Sequence, residues 1–304
     1  MPLQLRPAAR VRCRRTRGPF VSQPVVSIGL PVYNEARHLE AALIALRSQT
    51  YENVEIIACD NASTDGTLAI LRRHAEQDAR IRVEAAEHNA GASRNFLKAL
   101  ALAQGPYFMW ASGHDLWDRN LVAECVAALE SNPGASLAFA SADWVDDAGA
   151  PFGRETGWTD TRGMDAAGRY FSVLWGNMHP ILGVIRLERL RACRIPEIIG
   201  NDLVLLADLA LRGDFLHVTG ARWQRRELRH EADYASKLKR YGSSDFGMAQ
   251  GWIARHFPLA ALPVELARVA WSAPLTVVER LALLSALAPS LLLRYRAGRR
   301  ANGR

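Results

Sequence analysis

Short uncharged runs alternate with helical-period segments over the first half of the chain. Val25-Val26-Ser27-Ile28-Gly29-Leu30 carries no charge and has the length of a strand buried on both faces. Asn34 to Ser48 then sets Leu39, Leu43 and Leu46 on one helical face. The alternation continues with a strand at Val54–Cys59, a helix from Gly66 to about Ala79, a short strand at Ile81–Val83 and a helix over Ala92–Ala103. A strand at Tyr107–Ala111, a helix over about Arg119–Leu129 and a strand at Ser136–Ala140 complete it. Strands alternating with helices of this length predict an α/β fold, with a mostly parallel sheet and helices on both faces. Ligands of such sheets sit beyond the carboxyl ends of the strands, here Pro31–Glu35, Asp60–Gly66, His88–Gly91 and Ser112–Trp117.

Past residue 150 the alternation fails, and Gly, Trp and His recur irregularly until a helix near Asp202–Leu211 and a strand at Phe215–Val218. From Pro258 the chain is helical and apolar and ends among arginines. The resulting division is a basic mobile tail over 1–24, a main domain over 25–235 and a C-terminal helical extension over 236–304. Within the main domain, 25–140 forms a first half and 141–235 a second.

Charge sharpens this picture. The 304 residues carry 38 Lys+Arg against 31 Asp+Glu, a net charge of +7, and only Lys98, Lys237 and Lys239 are lysines. An arginine-dominated surplus suits phosphate groups or an anionic lipid surface. The tail holds six arginines and no acid, but no nucleic-acid-binding motif follows it, so no nucleic-acid partner is expected. The four cysteines are far apart, which fits a reducing compartment. No run approaches the ~18 apolar residues of a membrane span, and the N-terminus lacks a signal-peptide core. A cytoplasmic location is expected.

The strand ends carry the chemistry. Asn34 and Glu35 suit a helix N-cap and first turn, and Asp65 suits the cap of the next helix. Asp60 stands at the second strand's terminus facing the crevice, where a carboxylate can accept hydrogen bonds from a base or ribose. Two successive polar strand ends exceed what capping requires. No P-loop, GxGxxG fingerprint or Ser-His-Asp arrangement is present, which excludes kinase, dehydrogenase and serine-hydrolase readings.

In series, Val26-Ser27-Ile28-Gly29-Leu30-Pro31-Val32-Tyr33-Asn34-Glu35, Ser48-Gln49-Thr50-Tyr51, Asp60-Asn61-Ala62-Ser63-Thr64-Asp65-Gly66-Thr67 and Asn89-Ala90-Gly91-Ala92-Ser93-Arg94-Asn95 resemble the motifs of family 2 glycosyltransferases. The resemblance covers about residues 25–140 and thins towards residue 230. It implies a GT-A fold and inverting transfer of a sugar from a UDP-, GDP- or dTDP-linked donor to a glycan or lipid-linked acceptor, in surface polysaccharide or glycan assembly. It also implies that Pro31, Tyr33 and Glu35 line the base and ribose pocket, that Asp60 holds a uracil-type base, and that Arg94 lies near the diphosphate. Asn61, Asp65 and Gly91 complete the nucleotide-sugar set.

The chain departs from the family pattern after the fourth strand. Ser112 and His114 stand where the family has paired Asp residues, with Asp115 just beyond. The resemblance then implies His114 and Asp115 as ligands of a divalent cation, with imidazole favouring Mn²⁺ over Mg²⁺. Gly200–Phe215 resembles the family segment that carries the catalytic base, which implies Asp202 as that base, with a helix N-terminal acid as its other reading and Asp208 the weaker candidate. Arg225-Arg226 reads either as a diphosphate clamp or as a solvated charge run. Trp117, Trp144, Trp158 and Trp175 are available for stacking on sugars or for the core. The altered Asp pair also supports an alternative, a catalytically silent nucleotide-sugar-binding protein on the same fold. Finally, Leu281–Leu293 is 13 residues long and interrupted by Pro289. It reads either as peripheral contact with the inner face of the cell membrane or as a helical hairpin packed on the catalytic domain.

Overall fold

A computed structural model describes residues 25–153, 160–177, 179–228 and 259–301. The basic tail and Trp158 lie outside these residues. The chain builds β1 (Val26–Val32), α1 (Leu39–Arg47), β2 (Val54–Asp60), α2 (Thr67–Gln77), β3 (Ile81–Ala85), α3 (Ala92–Ala101), β4 (Tyr107–Trp110) and β5 (Leu116–Trp117). It continues with α4 (Leu121–Ser131), β6 (Ala135–Val145), α5 (Ala166–Trp175), a 3₁₀ turn at His179–Leu182, β7 (Val184–Arg186) and α6 (Leu187–Arg191). α7 (Asn201–Arg212), β8 (Asp214–Arg226), α8 (Ala261–Ser272) and α9 (Val277–Ala301) follow.

One eight-stranded sheet runs in the order β3-β2-β1-β4-β7-β6-β8-β5. The β3-β2-β1-β4 part is parallel, as the alternation predicts. β7 enters antiparallel between β4 and β6, and β8 returns parallel to β6. Period-two alternation divides the core. Val26, Ile28, Leu30 and Val32 of β1 pack with Leu39, Leu43 and Leu46 of α1 and with α2 and α4 on one face. Phe108 and Trp110 of β4 face the other way, towards α3, α5, α7 and α8. Each fully buried leucine contributes about 1.5–3 kcal/mol. At Gly29 the crowding is severe, because a Cβ there would lie 2.7 Å from Phe108 Cζ.

Two features differ from the sequence expectation. α1 starts at Leu39 rather than Asn34, because Asn34 sits at φ 53°, outside the helical region, and the N–H groups of residues 34–36 are held by Ser63, Thr67 and Asp65. β7 is only three residues long and follows an irregular stretch, so no period marks it. The C-terminal helices form a packed hairpin. Leu266, Val269 and Ala270 of α8 and Leu283 and Leu287 of α9 share a core with the leucines of α7. Tyr170 Oη donates to the Leu266 carbonyl at 3.1 Å. No described helix is long and apolar enough to cross a membrane. Cys59, Cys125 and Cys193 are free thiols, and burial pushes Cys59 up to about 11 and the other two up to about 12.

Candidate active site

The carboxyl ends of β1 and β2 are stitched together before any ligand is considered. Asn34, at φ 53°, donates its N–H to Ser63 Oγ at 2.9 Å, and its side-chain oxygen accepts from Thr64 N–H at 2.8 Å. Glu35 N–H reaches Thr67 Oγ1 at 2.8 Å. Asp65 accepts from Ala36 N–H at 3.1 Å and Thr67 N–H at 2.9 Å, so both its oxygens brace the two loops. Burial alone would raise its pKa, but these donors outweigh it and hold the carboxylate below its ordinary range.

Asp60 ends β2 and is buried. Its Oδ2 accepts from Ser63 N–H at 3.2 Å, whereas Oδ1 is buried without a hydrogen-bond partner. An orphaned carboxylate oxygen is costly unless a ligand satisfies it. Next to it, Asn61 donates to Asn89 Oδ1 at 2.7 Å and accepts from Ala90 N–H at 3.0 Å. Gly91 adopts φ 89° at the start of α3 and donates to the same Asn89 oxygen at 2.8 Å. Asn61, Asn89 and Gly91 thus shape the crevice wall. Pro31 is buried within β1, and Tyr33 stands half-exposed at the rim. Arg94 is largely solvent-exposed on α3, 3.6 Å from Glu197, and the structure gives it a surface ion pair.

After β4 the chain turns through Ser112–Asp115. His114 Nδ1–H donates to the Glu35 carboxylate, 3.1 Å from each oxygen. Burial works against the charged ring, but Glu35 and Asp115 prevail and the His114 pKa is raised. Gly113 allows this approach, since a Cβ there would come within 3.0 Å of Val32 and 3.2 Å of Glu35. A carboxylate that fixes one ring nitrogen orients the other as a metal ligand, so His114 fits a cation site. Asp115 does not. It is buried, with Oδ1 taken by Arg226 N–H at 2.8 Å and Oδ2 by Ser112 Oγ. Among the described residues no three His, Cys, Asp or Glu side chains are grouped to hold a metal ion. Asp115 is therefore a brace between β4 and β8, and any cation would have His114 as its ligand from this set.

The second half brings two more groups to this edge. Asp202 lies in the first turn of α7, and its Oδ1 accepts from Leu203 N–H at 2.9 Å. Burial raises its pKa, against the lowering effect of that N–H and of the Arg225 and Arg294 charges. Asp208 is fully buried inside α7 and accepts from Arg212 Nε at 2.8 Å and Arg194 N–H at 2.9 Å. Its oxygens serve the fold. Arg225 is 4.8 Å from the Trp144 ring centroid, opposite it across β6 and β8, and its charge acts on both His114 and Asp202. Arg226 instead donates to the carbonyls of His114 (3.1 Å), Asp146 (3.0 Å) and Asp147 (2.7 Å). The two arginines thus separate into a site cation and a staple. Trp117 is buried and stacks on Trp223 at 5.0 Å, whereas Trp175 is exposed. The Glu35–His114 pair and Arg294, which reaches the Leu174 carbonyl, were not legible in the sequence, because both join segments far apart in the chain.

The comparisons with known proteins match this geometry. The Glycosyl transferase family 2 model matches residues 27–187. The putative teichuronic acid biosynthesis glycosyltransferase TuaG of Bacillus subtilis is 36% identical over 98 residues, which cover 32% of this chain and 39% of TuaG. Glycosyltransferase GlyG of Streptococcus pneumoniae is 31% identical over 98 residues, 32% of this chain and 33% of GlyG. The chain spans well under half the length of these relatives. S. aureus TarS 1–349, solved with UDP-GlcNAc, superposes with a TM-score of 0.65 at 15% identity over 87% of this chain and 72% of that one. The mannosyltransferase PcManGT from Pyrobaculum calidifontis, solved with GDP-Man and Mn²⁺, gives 0.51 at 20% identity over 92% and 81%. These two share the GT-A fold with this chain. Because the family model covers more than half of the 304 residues, the chain belongs to glycosyl transferase family 2.

Proposed function

We propose that the enzyme moves a sugar from a nucleoside diphosphate to an acceptor hydroxyl with inversion, in the assembly of a surface polysaccharide or related glycan. The observation that carries this reading is the buried, unpartnered Oδ1 of Asp60 at the end of β2. A base N–H satisfies that oxygen, which makes Asp60 the anchor of the nucleotide. UDP-GlcNAc and GDP-Man in the solved neighbours, and the teichuronic acid assignment of TuaG, support a nucleotide-sugar donor and a polymer product.

In this reading the acceptor oxygen attacks the anomeric carbon as the bond to the diphosphate breaks, and the acceptor proton passes to Asp202. Removal from water raises the Asp202 pKa, which strengthens it as a base. Arg225 supplies positive charge where the diphosphate departs. A divalent cation, when bound, adds charge stabilisation of the leaving group, and His114, oriented by Glu35, is the side chain that would hold it.

Calorimetric titration of UDP, GDP and dTDP into wild type and Asp60→Ala tests the assignment. Loss of a hydrogen bond to a charged group, about 1.5–3 kcal/mol, lowers affinity for the preferred nucleotide roughly ten- to hundred-fold. Unchanged affinity removes the anchor. Tight nucleotide binding without turnover across a broad donor and acceptor set supports the catalytically silent alternative.

A further inference from the structure

Apolar exposure in this molecule is concentrated on the C-terminal hairpin. Seven of the thirteen large hydrophobic side chains exposed among the described residues lie on α8 and α9, including Val264, Trp271, Val277, Leu281 and Leu292. The inner faces of both helices are already used against α7, so these residues belong to a second, outward surface. Val277, Leu281, Leu284, Ala288 and Leu292 recur at i, i+4, i+7, i+11 and i+15, which places them on one side of α9. With Val264 and Trp271 of α8, this side borders an open groove of about 770 Å³ between the two helices.

The charge around this surface is one-sided. Arg268, Arg280 and Arg296 of the hairpin and Arg194 beside it stand against Glu265 and Glu279, while Arg294 turns inward to the Leu174 carbonyl. Arg194 and Arg268 share Glu265 at the groove and leave one positive charge there. Arg280 lies 6.0 Å from the ring centroid of Trp271, which joins a cation to an aromatic suited to a membrane–water boundary. α9 runs on through Pro289, where the sequence predicts an interruption, yet no described helix is long and apolar enough to cross a bilayer. An apolar groove edged by Arg194, Arg268 and Arg280 on helices that cannot span matches a surface that lies on anionic lipid.

We propose that the outer face of the α8–α9 hairpin docks on an anionic lipid bilayer, with the groove side against the acyl boundary and the arginines among the headgroups. The proposal is independent of the transfer reaction, because partition onto vesicles needs no sugar donor. Failure of one therefore leaves the other standing.

Flotation of the full chain with phosphatidylcholine vesicles, with or without phosphatidylglycerol, tests it. At about 0.1 M salt the protein floats with the anionic vesicles at least about ten-fold more than with the neutral ones, and about 1 M salt releases it. Val278 and Leu281 are exposed, so the double variant V278E/L281E keeps the wild-type melting temperature while losing at least about ten-fold in partition. Arg296→Glu, also at an exposed position, weakens binding at low salt only. No binding at low salt overturns the proposal, as does equal binding to both vesicle types or full binding by the double variant. Light scattering that shows a dimer abolished by V278E/L281E overturns it in favour of a second copy of the chain.

Discussion

The two sides of the active-site edge are built on different principles. On the donor side, the ends of β1, β2 and α3 bind each other through short loops, with Asn34, Asp65, Asn61 and Asn89 each fixing a neighbouring backbone. On the side of the proposed transfer chemistry, Asp202, Arg225 and His114 arrive from α7, β8 and the loop after β4, separated by long stretches of sequence. The donor side is preorganised locally and tolerates the loss of a single bond. The transfer side concentrates its chemistry in isolated side chains, so single substitutions there have larger consequences for turnover.

The sharpest break comes from Asp202→Asn. In the proposed mechanism it lowers kcat by about 10²–10⁴-fold with donor affinity nearly unchanged, as measured by initial rates and calorimetry. Near-normal turnover removes Asp202 as the base. Asp208→Ala separates the neighbouring carboxylate. It leaves Arg212 and the Arg194 N–H without their partner and costs about 3 kcal/mol in denaturant unfolding, while kcat of the remaining folded enzyme is retained. Asp65→Ala tests the donor lattice and costs only about 1 kcal/mol of stability, with a modest loss of nucleotide affinity, because the other cross-bonds remain.

The smallest effect has a defined sign. Because the folded pKa of Asp202 is raised, the native state holds its proton more firmly than the unfolded chain. The stability linked to this proton is present below the unfolded carboxylate range and is lost as pH rises through the folded pKa. Asp202→Asn therefore melts at a higher temperature than wild type at neutral pH, and the gap closes as pH falls towards 4. A gap that widens on acidification contradicts the raised pKa.

What was legible in the sequence follows the same division. The parallel β3-β2-β1-β4 arrangement and the polar strand ends could be read because period and turn residues are local signals. Asp60 stood out for the same reason, since it directly follows a run that must be a strand. The insertion of β7 beside β4 is a long-range pairing of three residues and leaves no local period. The fates of Asp115 and Arg226 depend on β8 meeting the β4 loop, more than a hundred residues away. The Arg94–Glu197 pair, 3.6 Å apart on the surface, likewise joins segments about a hundred residues apart and had no local signal.

The paired arginines at the end of β8 also bear on how sequence change is tolerated. Neighbouring strand residues face opposite ways, so a one-residue slip puts one of the two arginines in the other's place and brings Gln224 or Glu227 into the position it leaves. β8 already shifts register against β6 at Ala140/Ser141, so its terminal segment is set apart from the rest of the ladder. Elsewhere a slip turns a strand inside out. Here one place receives the neighbouring guanidinium while the other receives Gln224 after an upstream insertion or Glu227 after a deletion, so a positive charge survives in only one of the two.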